Sequence, residues 1–266
     1  MFADLWTNRK LILRLSLNDF RTRYAGSLMG IFWAFVQPVI TVLVYWFVFE
    51  KGLRAGRQAM GAIEVPFVLF LMSGMVPWFF FSDAWPNGTG SLIGYSYLVK
   101  KVVFKISILP VVKVVASIYV HVFFVAITLL TFLAYGFKPD LYTLQVIYYS
   151  FAAFMFTVGL SYLTASIVVF FQDLTQIIGI LLQVLVWATP IMWNIDTALS
   201  AGPLKTILKL NPMYYVVSGY RNALINKVWF WQTPRMTLYF WAVTLFLVCF
   251  GMLVFRRLQK HFADVL

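Results

Sequence analysis

Residues 238–255 read LYFWAVTLFLVCFGMLVF, eighteen residues from Leu238 to Phe255 without one charged side chain, bounded by Arg235 before and by Arg256 and Arg257 after. An apolar run of that length marks a membrane-spanning helix, because roughly 20 residues rising 1.5 Å each cross a hydrocarbon core. Five further runs of the same kind precede it, at residues 30–49, 66–85, 114–135, 144–171 and 176–193. Gln37-Pro38, Gly74, Pro77 and Pro190 fall inside these runs, where membrane helices tolerate them and where they mark kinks.

The composition agrees. The chain of 266 residues is 62% hydrophobic and 11% charged, whereas a soluble domain carries about a quarter of its residues as charges. With the bilayer as solvent, every backbone polar group must be satisfied internally, and long continuous runs select helices over an alternating barrel. The expected fold is an all-α membrane protein with six transmembrane helices, divided into a surface segment at residues 1–28 and a six-helix membrane domain at residues 29–266.

The net charge of +12 sits beside apolar runs, which points to anionic lipid and to orientation rather than to nucleic acid. Both termini fall on one side of a six-span chain. With the N-terminus inside, twelve basic residues lie on the inner side and nine, including Arg221, on the outer, so both termini are expected to be cytoplasmic. The lone cysteine, Cys249, forms no intrachain disulfide. About 25 residues at the N-terminus are too polar for a cleavable signal.

Within residues 1–28, Phe2, Trp6, Leu13, Leu17, Phe20 and Tyr24 share one helical face, with Lys10, Arg14 and Arg21 to one side. This predicts an amphipathic helix lying at the membrane surface; the plainer reading is an orientation signal. The connection at residues 194–237 is long, yet holds apolar pieces at Met213–Val217 and Val228–Trp231. It is expected to dip back into the bilayer as re-entrant helices, against the alternative of an outer loop with interfacial aromatics.

Chemistry of its own is scarce. The sequence contains no phosphate-binding loop, and the glycines at 88, 90 and 94 have the wrong spacing for a dinucleotide fingerprint. No Cys/His spacing suits a metal. His121 and Asp83 are the isolated ionisable groups within spans, each read either as a relay or as a hydrogen-bonded packing residue. Asn87-Gly88-Thr89 matches a glycosylation sequon but falls on the cytoplasmic side. No catalytic residues, metal or cofactor are expected in this chain.

Several segments together resemble type-2 ABC exporter permeases for lipid-linked polysaccharides. They are Asp19-Phe20-Arg21-Thr22-Arg23-Tyr24 through Ser27-Leu28-Met29-Gly30, Trp33 and Gln37-Pro38; Phe171-Gln172-Asp173-Leu174 with Thr189-Pro190-Ile191-Met192-Trp193; and Leu210-Asn211-Pro212-Met213-Tyr214-Tyr215 with Gly219-Tyr220-Arg221. Within that family, Tyr45–Phe49, Gly52-Leu53-Arg54, Gly56-Arg57 and Val76–Phe80 look closest to wall teichoic acid translocation permeases, while O-antigen and capsular permeases share much of the pattern.

The resemblance implies a homodimer in the bacterial plasma membrane, working with two copies of a separate ATPase that binds ATP and magnesium. It implies export of a polymer carried on a polyprenyl diphosphate. It also implies re-entrant helices between spans five and six, and a coupling segment around Lys100, Lys101, Phe104 and Lys105 that docks on the ATPase, with a second contact at Gln172 and Asp173. Arg21 and Arg23, with Tyr24 in the same motif, are candidate contacts for the diphosphate because a guanidinium fork matches phosphate oxygens; contact with lipid headgroups is the bland alternative. Trp33, Tyr45 and Trp78 are candidate pathway aromatics, since flat rings suit sugar- or polyol-rich chains. The competing readings are a stand-alone channel and a membrane enzyme acting on lipid-linked sugars.

Overall fold

A computed structural model describes residues 2–23, 29–60, 63–99 and 105–265. The described residues are almost entirely helical. Five helices are long and apolar enough to cross a membrane: Gly30–Gly52, Phe67–Thr89, Ile106–Ala134, Leu141–Val168 and Pro234–His261. We number them spans 1, 2, 3, 4 and 6. Between spans 4 and 6 lies a shorter apolar helix, Leu174–Ala188, here span 5. Its 15 residues measure about 22 Å.

Span 5 ends earlier than the sequence suggests, at Ala188 rather than near Trp193. The cause is local. Thr189 precedes Pro190, and a proline pushes the residue before it out of the helical region; Thr189 is extended, with φ −89° and ψ 122°. Span 1 keeps Pro38 within its helix and finishes in a π-turn at Phe47–Gly52. A two-stranded antiparallel hairpin then pairs Gln58 with Val65 and Met60 with Ile63.

Spans 2 and 4 form the core. Most of span 2 is buried, from Phe67 through Thr89. Span 4 lies against span 6 where Gly159 and Gly251 meet: a Cβ on Gly251 would sit 2.8 Å from the Gly159 carbonyl oxygen. Small residues let membrane helices approach this closely, and van der Waals packing then replaces the hydrophobic drive that lipid cannot supply. Thr89 and Thr164 add a 2.6 Å hydroxyl contact between spans 2 and 4.

The connection between spans 5 and 6 is helical and folded inward. Pro212–Arg221 starts on an Asn211 cap and buries Met213 through Val217, Gly219, Tyr220 and Arg221 within the bundle, whereas the second apolar piece, Val228–Trp231, is half-buried to exposed and forms no α-helix. Tyr149 of span 4 lies against Gly219, where a Cβ would be 2.1 Å from the ring. Arg221, counted from sequence as a basic residue of the outer side, is instead 5% exposed. It donates to the carbonyls of Pro190 and Ile191, both at 2.6 Å, and its guanidinium lies 3.7 Å from the Phe70 ring centroid. The carbonyls just past the end of span 5 lack helical partners, and this side chain supplies them.

The N-terminal segment forms helices Phe2–Thr7 and Arg9–Arg23. The second packs on span 3 through Ile12, Ser16, Asp19 and Phe20, a face half polar and half apolar. Trp6, Leu13 and Leu17 are exposed, about a quarter-turn away. The apolar face read from the sequence therefore points off the protein body, Phe20 excepted. An interfacial helix needs both, one side for lipid and one for protein.

Candidate functional site

Three helices meet at one end of the bundle, each presenting two polar side chains four residues apart and hence on one face. The surface helix contributes Asp19 and Arg23, span 2 contributes Asp83 and Asn87, and span 3 contributes Lys113 and Ser117. Arg23 donates to both oxygens of Asp83 at 3.0 and 3.2 Å, and to Asp19 at 3.3 Å. Asp19 also accepts from Lys113 and, at 2.9 Å, from the Tyr95 hydroxyl. Asp83 accepts from Ser117 and, at 2.9 Å, from Asn87. Two cations and two carboxylates cancel within the cluster.

The electrostatics follow from that closure. Burial alone would lower the Arg23 pKa, but the charges of Asp83 and Asp19 and the hydrogen bonds to them outweigh it and leave it above its ordinary value. Burial, with the Asp19 charge and hydrogen bond behind it, raises the Tyr95 phenol well above its ordinary range. Arg23 therefore stays charged and the Tyr95 phenol stays protonated near neutrality.

A cleft of about 620 Å³ opens beside this cluster, walled by spans 1, 2, 3 and 5. Asp83 and Ser117 belong to both. Farther along span 3, one turn beyond Ser117, His121 lines the cleft. Its Nε2 lies 3.0 Å from Ser150 and 3.0 Å from the Tyr220 hydroxyl, so the histidine is held by hydrogen bonds to span 4 and to the inward-folded helix. The remaining polar lining is neutral: Gln37, Thr41, Tyr45, Ser82 and Gln183.

The three aromatics singled out as pathway residues come together here. Trp33 and Tyr45 reach the cleft from span 1 and Trp78 from span 2. Trp33 is 47% exposed and Trp78 is buried. Of the headgroup candidates, Arg23 is held in the ion cluster and Arg21 is exposed on the surface helix; Tyr24 lies outside the described residues. Of the coupling candidates, Lys105 is exposed ahead of span 3, and Gln172 and Asp173 are exposed in the tight turn between spans 4 and 5. Lys100, Lys101 and Phe104 lie outside the described residues. Among the described residues, no group of three or more His, Cys, Asp or Glu could hold a metal.

The sequence reading passed over Asp19, Lys113, Ser117, Gln37 and Gln183. A signal existed for two pairs: polar residues four apart on otherwise apolar or amphipathic helices, Asp19 with Arg23 and Lys113 with Ser117.

Residues 10–225 match the ABC-2 type transporter family, a stretch that begins in the surface helix, holds the whole ion cluster and cleft, and ends just past Arg221. The chain belongs to the ABC-2 type transporter family. It is similar to the O-antigen export system permease protein RfbA of Myxococcus xanthus, with 28% identity over 264 residues, covering 99% of this chain and 98% of that one. It is also similar to the protein of the same name from Klebsiella pneumoniae, with 24% identity over 258 residues and coverage of 96% and 95%. This ABC-2 protein is thus a multi-pass membrane permease whose cleft lies among its spans.

Proposed function

We propose that this chain is the membrane subunit of an exporter that moves a lipid-linked cell-surface polysaccharide of the O-antigen class from the cytoplasmic to the outer face of the bacterial plasma membrane. The observation that carries the reading is the end-to-end similarity to two O-antigen permeases. The wall teichoic acid reading that the sequence motifs put first rests on the motif resemblance alone.

In this reading, two copies pair and a separate ATPase on each supplies the work. The walls of the cleft favour pairing. Only Ala34 is buried in the main helix of span 1, and only Ile178 in span 5. A second copy facing them across a twofold axis would close the cleft into a conduit. The aromatic rings of Trp33, Tyr45 and Trp78 would offer apolar faces to sugar rings, and the neutral side chains would exchange hydrogen bonds with hydroxyls. Arg21 would contact the diphosphate at the inner surface. Lys100, Lys101, Phe104, Lys105, Gln172 and Asp173 would form the ATPase contact, and both termini would be cytoplasmic.

The test is reconstitution. The chain should co-purify with a nucleotide-binding subunit, and the complex in proteoliposomes should export a polyprenyl-diphosphate polysaccharide only with ATP. Transport by the chain alone would make it a channel or carrier, and turnover of lipid-linked sugar without ATP would make it an enzyme. Either result overturns the proposal.

A further inference from the structure

The charge of the cleft lining separates classes of polymer. Among the described lining residues Asp83 is the one carboxylate, and its side chain is 42% exposed. Neither Lys nor Arg lines the cleft. The nearest guanidinium, Arg23, is spent on Asp83 and Asp19, and Lys113 is spent on Asp19. A polymer with a phosphodiester in every repeat would bring an anion into this space at each step. It would meet neutral dipoles and a carboxylate already paired with Arg23, with no free cation to replace its hydration.

An uncharged sugar repeat meets the opposite situation. The Asp83 oxygens already accept from Arg23, Asn87 and Ser117, so hydroxyls would exchange hydrogen bonds mainly with the neutral lining. Gln37 and Gln183 both donate and accept, and Trp33, exposed beside the cleft, supplies a ring face. Each such contact is exchanged for an equivalent one as the chain advances, so no repeat is trapped.

We propose that the cleft selects a polymer whose repeats are uncharged polyhydroxyl sugars and rejects one with phosphate in its backbone. This rests on the export function proposed above. The carrier diphosphate crosses once per molecule, whereas the repeats cross many times, so the lining is matched to the repeats.

The experiment uses the complete complex of this chain with its ATPase in proteoliposomes. Two substrates share one polyprenyl diphosphate and one length; the first has neutral hexose repeats and the second a phosphodiester in each repeat. The expected ATP-dependent rate is at least about tenfold higher for the neutral polymer, because an unpaired charge at membrane depth is costly. Gln183 is exposed on span 5 and lines the cleft, so a substitution there changes the lining without disturbing the packed core. Gln183→Lys should narrow the ratio and Gln183→Glu should widen it. Equal rates, a faster anionic polymer, or a ratio unmoved by both variants would overturn the selection. If neither polymer moves while the complex hydrolyses ATP, the export function itself fails, and the selection with it.

Discussion

Spans 2 and 4 and spans 1 and 5 are all apolar in sequence and differ sharply in structure. Span 2 is buried along 78% of its apolar window, and span 1 along 6%. The first pair is locked by close backbone approaches, ring packing and cross-helix hydroxyls. The second pair touches the body mainly along one edge and at its ends. Hydropathy reports that a helix enters a membrane, but not whether its neighbours are protein or lipid. The contrast assigns the two pairs different work: a rigid frame, and walls free to shift around the cleft.

The frame can be broken most severely at Gly219. Gly219→Val drives side-chain atoms into Tyr149, and overpacking of this kind costs about 3 kcal/mol; little monodisperse protein should survive detergent extraction. Arg221→Leu comes next. It strands the Pro190 and Ile191 carbonyls inside the protein, at a net cost of about 2 kcal/mol, and should lower the thermal midpoint in detergent. An unchanged midpoint would mean that span 5 is not held at its C-terminal end by this side chain.

Between frame and walls lies the ion cluster. Asp83 is partly exposed but Asp19 is buried, so Arg23→Gln should cost about 2 kcal/mol of stability. It should also slow transport, because the surface helix loses its tie to span 2. Exchanging the charges with Arg23→Asp and Asp83→Arg together should recover part of that rate; no recovery would argue for a direct role of Arg23 with cargo.

The walls should respond least. Ile40 and Leu43 are 51% and 53% exposed on span 1. Changing each to alanine should shift the stability of a single copy by less than about 0.5 kcal/mol. Loss of crosslinked dimer in these variants, at unchanged stability, would sharpen the contrast by making this wall the pairing face. A smaller effect still is expected at the far edge of the frame, where Asp140 meets Lys227 at 2.9 Å. Burial pushes the Asp140 pKa up, but the bond to Lys227, its charge and Thr143 hold it below its ordinary value. The contribution is therefore present above the unfolded value of about 3.9 and is lost as pH falls through the lower folded value. Melting curves from pH 6 to pH 3 should lose this increment in the native chain and not in Lys227→Met.

The spans were legible because length and apolarity decide them locally. The inward-folded connection was legible for the same reason: Met213–Val217 is too apolar for an outer loop. The edge of span 5 was misplaced because hydropathy outvoted Pro190. The orientation of the surface helix was half visible, since the sequence displays its lipid face more loudly than the mixed face that touches span 3. The cluster joining Asp19, Arg23, Asp83 and Lys113 was not legible as a unit. Its members are up to 94 positions apart, and only packing of three helices brings them within bonding reach. Trp33, Tyr45 and Trp78 were chosen for their ring chemistry alone, and the fold gathers them around one cleft.

Span 5 carries a last consequence through its length. At about 22 Å it falls short of a hydrocarbon layer about 30 Å thick. Lipids beside a short helix must thin or tilt to match it. Where this wall meets lipid and not a second copy, the layer beside it would be pinched by roughly a quarter.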